Sequence, residues 1–244
     1  MTAVERHRVA APGACLALAL HLPDAAPAVP CVVACHGLGA SKDSDKYLLL
    51  GAEFAAAGLA LARFDFRGCG ESTGVEDGTS VATRLEDARA VLAFLRGHPR
   101  LSGCFGLLGS SLGGYVALHL AASERLPVVT WNAPAHLRGL TSWGARPPAH
   151  PDPRAAGVRA LLAELGAGRH LEAPAGVGRH LAIQAGADEV VPPEHGRLLY
   201  ERAQEPRDLV VLAGADHRLT APAHRRDAVV LSLAWLRRFL PGSP

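Results

Sequence analysis

The chain has 244 residues, about 49% of them apolar, a length that suffices for one large hydrophobic core without requiring two domains. Its formal net charge is +2 with both signs scattered along the sequence, which argues against a basic stripe for nucleic acid and against an acidic tail. We therefore expect one domain over residues 1–244 that binds no nucleic acid, and a homo-oligomer is left open.

Five cysteines, an odd number, are spread without the dense spacing of a disulfide framework: Cys15, Cys31, Cys35, Cys69 and Cys104. This distribution favours a reducing compartment such as the cytoplasm. Cys31, Cys35 and His36 invite a metal site, but residues four apart in a strand lie roughly 13 Å from each other. One tetrahedral ion does not span that distance, so we expect no metal and read these cysteines as small buried hydrophobes.

The first predicted elements are two strands, residues 4–9 and 15–22, which a turn at 11–13 separates and which form an antiparallel edge. Arg6 and Arg8 precede an apolar run, as in a secretion signal. The leucines of that run recur with period two, however, which favours a strand over a signal helix. No stretch approaches the roughly 20 apolar residues of a membrane span.

From there, apolar strand-like runs alternate with helical stretches. The six further predicted strands are residues 29–35, 59–64, 104–108, 128–132, 180–185 and 209–212. The predicted helices, bounded by Gly58, Gly97 and Pro241 among other signals, are residues 44–57, 81–96, 112–122 and 229–240. This alternation predicts the α/β class, with a mostly parallel eight-stranded sheet and helices on both faces.

The segment 133–179 interrupts the alternation. It contains a proline-rich patch at 146–153 and an amphipathic stretch at 155–165. We predict that it forms a small cap over the functional site. Its six arginines against three acidic residues suit an anionic substrate, although a solvated surface is the preferred explanation.

The candidate nucleophile is Ser111, in the pentapeptide that runs from Gly109 to Gly113. The pentapeptide lies between a predicted strand and a predicted helix, the context in which a G-x-S-x-G motif lifts a serine hydroxyl above a sheet. Glycine is required at both ends because the turn is tight and the two positions pack closely together. Ser110 is the weaker candidate, since no glycine pair brackets it.

A serine nucleophile needs a base, and the base needs an orienting carboxylate. Asp188 and His217 each follow a predicted strand, where loops at the carboxyl end of a parallel sheet reach a common site. Glu189 is an alternative orienting acid. Asp216 adjoins His217 and is expected to cap a turn instead.

Two other histidines, His195 and His224, are predicted in solvated helices. His36 belongs to a separate motif that continues through Gly37, Leu38 and Gly39, directly after the strand 29–35. A turn in this place supplies half of an oxyanion hole, so we predict that the backbone N–H groups of Leu38 and Leu112 face the developing oxyanion. The alternative is an ordinary glycine-containing turn between a strand and a helix.

Five landmarks now stand in a fixed order along nearly the whole chain. They are His36 to Gly39 with Ser41, Lys42 and Asp43 behind it, the run from Phe64 to Ser72, the Ser111 motif, Asp188 ahead of Val191 and Pro192, and Gly214 to His217. In these residues the chain resembles the bacterial serine carboxylesterases of the α/β-hydrolase superfamily, including its feruloyl-esterase-like and serine-aminopeptidase-like branches. Ser111 argues against the dienelactone-hydrolase branch, which uses cysteine, and against dehalogenases, which use aspartate.

The resemblance implies the α/β-hydrolase fold and a cofactor-independent enzyme that cleaves small or medium acyl or aryl esters. Ser111 is then expected to attack the acyl carbonyl while His217 accepts its proton and Asp188 holds the imidazole, with activity falling as His217 is protonated. It also implies that Asp65 and Arg67 organise the loop near the site, where Cys69 is read as a small turn residue rather than a reactive thiol.

Two further interpretations remain open at this point. The same triad cleaves thioesters and amides, so a thioesterase or a peptidase is an alternative. A third hypothesis is a binding protein that kept the scaffold and lost catalysis, since fold does not imply function.

Overall fold

The computed structural model describes residues 3–24, 28–75, 78–139 and 158–241. Within them the chain forms one eight-stranded sheet. Its strands are β1 (Ala3–Ala11), β2 (Ala14–Leu22), β3 (Val29–Cys35), β4 (Ala60–Phe64), β5 (Leu101–Ser110), β6 (Val128–Trp131), β7 (His180–Ala185) and β8 (Arg207–Leu212). The spatial order is β1-β2-β4-β3-β5-β6-β7-β8.

Strand β2 runs antiparallel to both of its neighbours, β1 and β4, whereas every other neighbouring pair is parallel. The predicted mostly parallel, eight-stranded sheet is therefore confirmed, as is the antiparallel edge. The carboxyl ends of β3 and of β5 to β8 meet at one edge of the sheet, which is the edge where the candidate site residues are expected.

The helices of eight or more residues in the described ranges are α1 (Asp45–Ala56), α2 (Val81–Arg96), α3 (Leu112–Glu124), α4 (Arg159–Gly166), α5 (Glu194–Arg202) and α6 (Pro222–Arg237). Their ends follow local sequence signals. Ser80 caps α2 in a reciprocal capping box with Thr83, and Gly97 ends it. None of the described helices has the length and apolar character needed to span a bilayer.

Helices cover both faces of the sheet. Alternate residues of its strands belong to two different apolar clusters, one on each face. In β3, Cys31 and Val33 belong to the cluster that packs under α2 and α3, and Val32 and Ala34 belong to the cluster under α1 and α6. All seven residues of β3 are buried as a result. The prediction that Cys31 and Cys35 are small buried hydrophobes is confirmed, and none of the five cysteines forms a disulfide.

One predicted helix is wrong in its extent. The apolar pattern placed the last helix at residues 229–240, but α6 begins at Pro222 and ends at Arg237. Its first turns are polar and solvent-facing, so they carry no apolar periodicity, and the start signal is instead a proline at the first helical position. Strand β5 also begins earlier than predicted, at Leu101 rather than at residue 104.

The ends of the predicted cap segment are described, whereas its proline-rich patch at 146–153 lies outside the described residues. The predicted amphipathic helix corresponds to α4. The buried Glu164 of α4 accepts hydrogen bonds from the Val81 and Ala82 amides at the start of α2, at 2.7 and 3.2 Å. A carboxylate is favoured there because free amides and the helix dipole meet it.

Candidate active site

Ser111 lies in a sharp turn between the last residue of β5 and the first residue of α3. Its backbone has φ 55° and ψ −128°, a conformation that costs a residue with a side chain on the order of 1–3 kcal/mol. The Ser111 N–H donates to the Trp131 carbonyl at 2.8 Å, which ties the turn to the end of β6. A strained serine held in this way is what a strand, turn and helix produce at a nucleophile elbow.

The glycines on either side of Ser111 have no room for a side chain. A Cβ on Gly109 would overlap the backbone of Gly113, and a Cβ on Gly113 would overlap the carbonyl oxygens of Cys35 and His36. The close packing of these two positions therefore lets α3 start directly above the end of β3.

The structure brings Ser111, His217 and Asp188 into one chain of hydrogen bonds. His217 Nδ1 lies 2.8 and 2.9 Å from the two carboxylate oxygens of Asp188, and its Nε2 lies 3.1 Å from Ser111 Oγ. Because a carboxylate only accepts, Nδ1 carries the ring proton, and Nε2 is then free to accept from the serine hydroxyl. The ring is thus oriented as a general base for Ser111.

Two backbone amides also hold the Asp188 carboxylate in place. Its Oδ1 accepts from the Val190 and Val191 amides at 2.9 and 2.7 Å, so the carboxylate is held as an acceptor. The alternative acid Glu189 reaches the backbone N–H of His217 at 3.3 Å, not its ring. Asp216 accepts from the Thr220 amide and hydroxyl, at 2.8 and 2.7 Å, and so caps a turn as expected.

Asn132, which the sequence analysis did not single out, connects the two strand ends to the histidine. Its Nδ2 donates to the His217 carbonyl at 2.8 Å, and its Oδ1 accepts from the Ala185 amide at 2.7 Å. It directly follows β6 and has φ 52°, a left-handed conformation in which asparagine is enriched. That pattern, an asparagine ending a buried strand, was the available signal.

The turn from His36 to Gly39 lies against Ser111. A Cβ on Gly37 would come within 3.2 Å of Ser111 Cβ and 3.8 Å of Ser111 Oγ. Within the described ranges, neither the Leu38 N–H nor the Leu112 N–H donates to a backbone carbonyl or a side chain. Two amides without a protein acceptor beside a serine hydroxyl are suited to bind an oxyanion.

His36 and Arg84 support that turn from beneath. His36 Nδ1 donates to the Gly37 carbonyl at 2.8 Å, and its Nε2 accepts from the Phe66 amide at 3.1 Å. Burial, reinforced by the nearby Arg84 guanidinium, lowers the pKa of His36 to about 3, so the ring stays neutral. The fully buried Arg84 donates to the His36 carbonyl at 3.0 Å.

The loop after β4 is organised by Asp65. Its carboxylate accepts from the Lys42 and Glu71 amides at 2.7 and 3.0 Å, which joins this loop to the start of α1. Arg67 pairs with Asp87 of α2, with Nε to Oδ1 at 2.9 Å. These contacts agree with the architectural parts expected for Asp65 and Arg67.

A pocket of about 340 Å³ lies between this loop and the turn at residues 36–39, which is called the oxyanion turn after its predicted part. It is lined by Gly39, Ala40, Ser41, Ser44, Gly68, Cys69 and Gly70. Cys69 is 8% exposed there. The lining of the pocket therefore begins at Gly39, the residue that follows Leu38.

The remaining candidates lie apart from the triad. Ser110 Oγ accepts from Lys46 Nζ at 2.8 Å, under the elbow, and burial together with Arg225 lowers the pKa of Lys46 to about 8. His195 lies in the first turn of α5, half-buried, and its Nδ1 accepts from the Ala135 amide at 3.0 Å. His224 lies in the first turn of α6, half-buried.

Residues 26–136 match the family model described as "Serine aminopeptidase, S33". That segment contains the oxyanion turn and Ser111 and ends before Asp188 and His217. No curated protein is significantly similar to the chain in sequence.

Solved structures of similar fold cover nearly the whole chain. A putative hydrolase from Agrobacterium vitis has a TM-score of 0.75 at 22% identity and covers 97% of this chain and 99% of its own. XC6422 from Xanthomonas campestris, described as an a/b serine hydrolase without lid, has a TM-score of 0.72 at 23% identity, with 99% and 97% covered.

Est1E from Butyrivibrio proteoclasticus, solved with ferulic acid bound, has a TM-score of 0.75 at 16% identity and covers 95% of this chain and 99% of its own. The sheet order, the elbow and these likenesses agree with one another. The chain has the α/β-hydrolase fold.

Proposed function

We propose that this protein is a serine hydrolase that cleaves carboxylic esters through an acyl-enzyme intermediate. The observation that carries the proposal is the hydrogen-bond chain from Asp188 through His217 to Ser111, with the serine in a strained elbow. Esterases among proteins of similar fold, Est1E and the esterase domain of a Rhodothermus marinus protein, support the choice of esters.

In the first half of the reaction, Ser111 Oγ attacks the acyl carbonyl carbon and its proton passes to His217 Nε2. The carbonyl oxygen becomes an oxyanion that accepts hydrogen bonds from the Leu38 and Leu112 amides. His217 then donates the proton to the leaving alcohol oxygen as the carbon–oxygen bond breaks, and the acyl group stays on Ser111.

In the second half, water attacks the acyl carbonyl while His217 Nε2 takes one of its protons. The acyl group leaves as a carboxylic acid, and the proton returns to Ser111 Oγ. Asp188 stays ionised throughout and stabilises the imidazolium that forms in both halves. No step uses a cofactor.

The acyl and leaving groups are proposed to lie on opposite sides of Ser111, with the 340 Å³ pocket beside the oxyanion turn on one side. On the other side we propose that residues 133–179 form a small cap within a single domain and set the leaving-group preference. Since none of the five cysteines forms a disulfide, we also propose a cytoplasmic location.

The second candidate function is peptide or amide cleavage, favoured by the aminopeptidase description of the matching family model. The triad itself does not distinguish the bonds, because the same nucleophile, base and oxyanion donors act on esters, thioesters and amides. Preference for one of these bonds depends on whether His217 lies where it can donate its proton to the leaving group of that substrate.

A panel of three matched acyl substrates tests the proposal: a short-chain nitrophenyl ester, an acyl-CoA thioester and an aminoacyl anilide. We expect the highest kcat/KM on the ester and its loss by at least about a thousandfold in Ser111→Ala, with Ser110→Ala as the matched control. Preferred turnover of the anilide would select the peptidase. Undiminished ester turnover in Ser111→Ala, or no turnover of any substrate by a folded wild type, would contradict the proposal.

A further inference from the structure

Three potential metal ligands meet at the outer edge of the sheet. Glu5 and His7 are two residues apart in β1, so their side chains leave the same face of the strand. His98 follows the end of α2 and precedes β5. This cluster lies toward the amino end of β5, whereas Ser111 follows its carboxyl end, so it is separate from the candidate active site.

The ligand atoms converge on one point. His7 Nε2 lies 3.1 Å and His98 Nε2 lies 3.0 Å from the same oxygen of Glu5, Oε2. The three atoms lie within 4.8 Å of one another. In a tetrahedral site, metal–nitrogen and metal–oxygen bonds of about 2.0–2.1 Å place any two ligand atoms about 3.3 Å apart. The two observed nitrogen–oxygen separations are close to this distance.

We propose that Glu5, His7 and His98 bind a divalent transition-metal ion of the Zn²⁺ type, with water completing the coordination. Imidazole nitrogens with one carboxylate suit Zn²⁺, Co²⁺ and Ni²⁺ rather than Mg²⁺ or Ca²⁺, which prefer oxygen ligands. The side chains of His7 and Glu5 are 26% and 36% exposed, so an ion reaches the site from solvent.

Binding requires a change of tautomer at His98, because its Nε2 now shares a hydrogen bond with Glu5 Oε2. Nδ1 of His98 accepts a long hydrogen bond, 3.3 Å, from the Arg100 amide. Binding moves the proton of His98 from Nε2 to Nδ1 at the expense of this bond, with no net release of a proton from that ring.

The consequence of binding is structural. Strand β1 is an edge strand that pairs with β2 alone and also packs against α2, including His7 against Phe94 at a ring separation of 5.1 Å. An ion shared by β1 and His98 links this edge strand to the connection between α2 and β5. Stabilisation without a change in catalysis is therefore expected.

Chelator-treated full-length protein, titrated with Zn²⁺ during thermal unfolding and with Co²⁺ in visible absorption, tests the site. A hundredfold excess of Zn²⁺ over its Kd should raise Tm by about 5 °C or more. Co²⁺ should give the d–d absorption of a four- or five-coordinate ion. Both effects should disappear in His7→Asn, His98→Asn and Glu5→Gln and persist in the control His224→Gln, while ester turnover stays unchanged with or without metal.

Glu5→Gln keeps the shape of the side chain and serves where a histidine variant folds poorly. The proposal is overturned if the wild type shows neither the shift in Tm nor the Co²⁺ band. It is also overturned if His98→Asn and Glu5→Gln respond to metal as strongly as the wild type, because the ion is then bound elsewhere. Glu5, His7 and His98 would in that case be joined by hydrogen bonds only.

Discussion

His217 Nε2 lies 3.1 Å from Ser111 Oγ, although 106 positions separate the two residues in the sequence. Ser111 follows β5 and His217 follows β8, and two strands, β6 and β7, lie between them in the sheet. Asn132 after β6 and Asp188 after β7 bridge this distance through their bonds to His217. The geometry of the base therefore depends on every strand from β5 to β8.

The choice between two adjacent acids gives the first prediction. Asp188→Asn should lower kcat by about 10³- to 10⁴-fold, because an amide at this position favours the wrong imidazole tautomer and no longer stabilises the imidazolium. Glu189→Gln, which alters only a contact with the His217 amide, should change kcat by less than about tenfold. Steady-state kinetics on a nitrophenyl ester compares the two, and equal losses would contradict the assignment of Asp188.

The second prediction concerns the closeness of Gly113 to the end of β3. Gly113→Ala drives a Cβ into the Cys35 carbonyl, which either shifts α3 or distorts the elbow, and should lower the free energy of unfolding by about 3 kcal/mol. Gly166→Ala, at the end of α4 where a Cβ meets nothing within 4 Å, should be neutral or stabilising. Urea unfolding measures both. A stable Gly113→Ala protein would show that the elbow is looser than described.

Arg84 gives a third prediction, as a positioning residue for the oxyanion turn. Arg84→Met removes the donor to the His36 carbonyl and should lower kcat about tenfold or more, with little change in KM, because the turn carrying Leu38 loses its support. Arg89→Met, on the exposed side of the same helix, is the matched control. A rise in KM with unchanged kcat, or a lower thermal stability with unchanged kinetics, would show that Arg84 stabilises the fold and does not position the turn.

Acid sensitivity gives a fourth prediction, carried by His180 in β7. Burial lowers its pKa to about 4 from 6.5, and its Nε2 lies 2.9 Å from Thr130 Oγ1. Between about pH 6.5 and pH 4, the His180 ring is therefore protonated in the unfolded chain and neutral in the folded chain. Stability from the neutral ring is present above pH 6.5 and is lost as the pH falls through this window.

For His180 alone, the loss between pH 7 and pH 5 is about 2 kcal/mol. His180→Gln cannot be protonated, so its free energy of unfolding should fall less over the same range by about that amount. Denaturant unfolding at both pH values measures the difference, and the other buried histidines, common to both proteins, cancel. Identical pH dependence in the two proteins would contradict the buried neutral state of His180.

Much of the fold follows from sequence patterns that burial imposes. A run such as Val29–Cys35 is apolar throughout because helices cover both faces of β3, and it was predicted with its observed bounds. The start of α6 at Pro222 was missed because its first turns face solvent, so no apolar periodicity marks them. Periodicity reports burial, and exposed helical turns are visible only through their start signals.

The candidate site likewise contains residues that the sequence predicts and residues that it does not. Ser111, Asp188 and His217 were predictable because each follows a strand within a short motif of turn residues. Asn132 and Arg84 were not, since their parts depend on which distant carbonyl each one meets, His217 for one and His36 for the other. Such pairings arise from the packing of strands and helices far apart in the chain. The asparagine that ends β6 marks its position in the sequence, but no local signal names the partners of Asn132 or of Arg84.

The most direct test of the central proposal is covalent labelling of Ser111 by a fluorophosphonate, located by peptide mass spectrometry. The probe phosphonylates a serine only where a base removes its proton and donors stabilise the tetrahedral oxygen. We predict one adduct per chain, on Ser111, formed by the wild type and Ser110→Ala and absent from Ser111→Ala and from heat-unfolded protein. An adduct on Ser110, or a folded wild type that takes up no label, would contradict the proposed nucleophile.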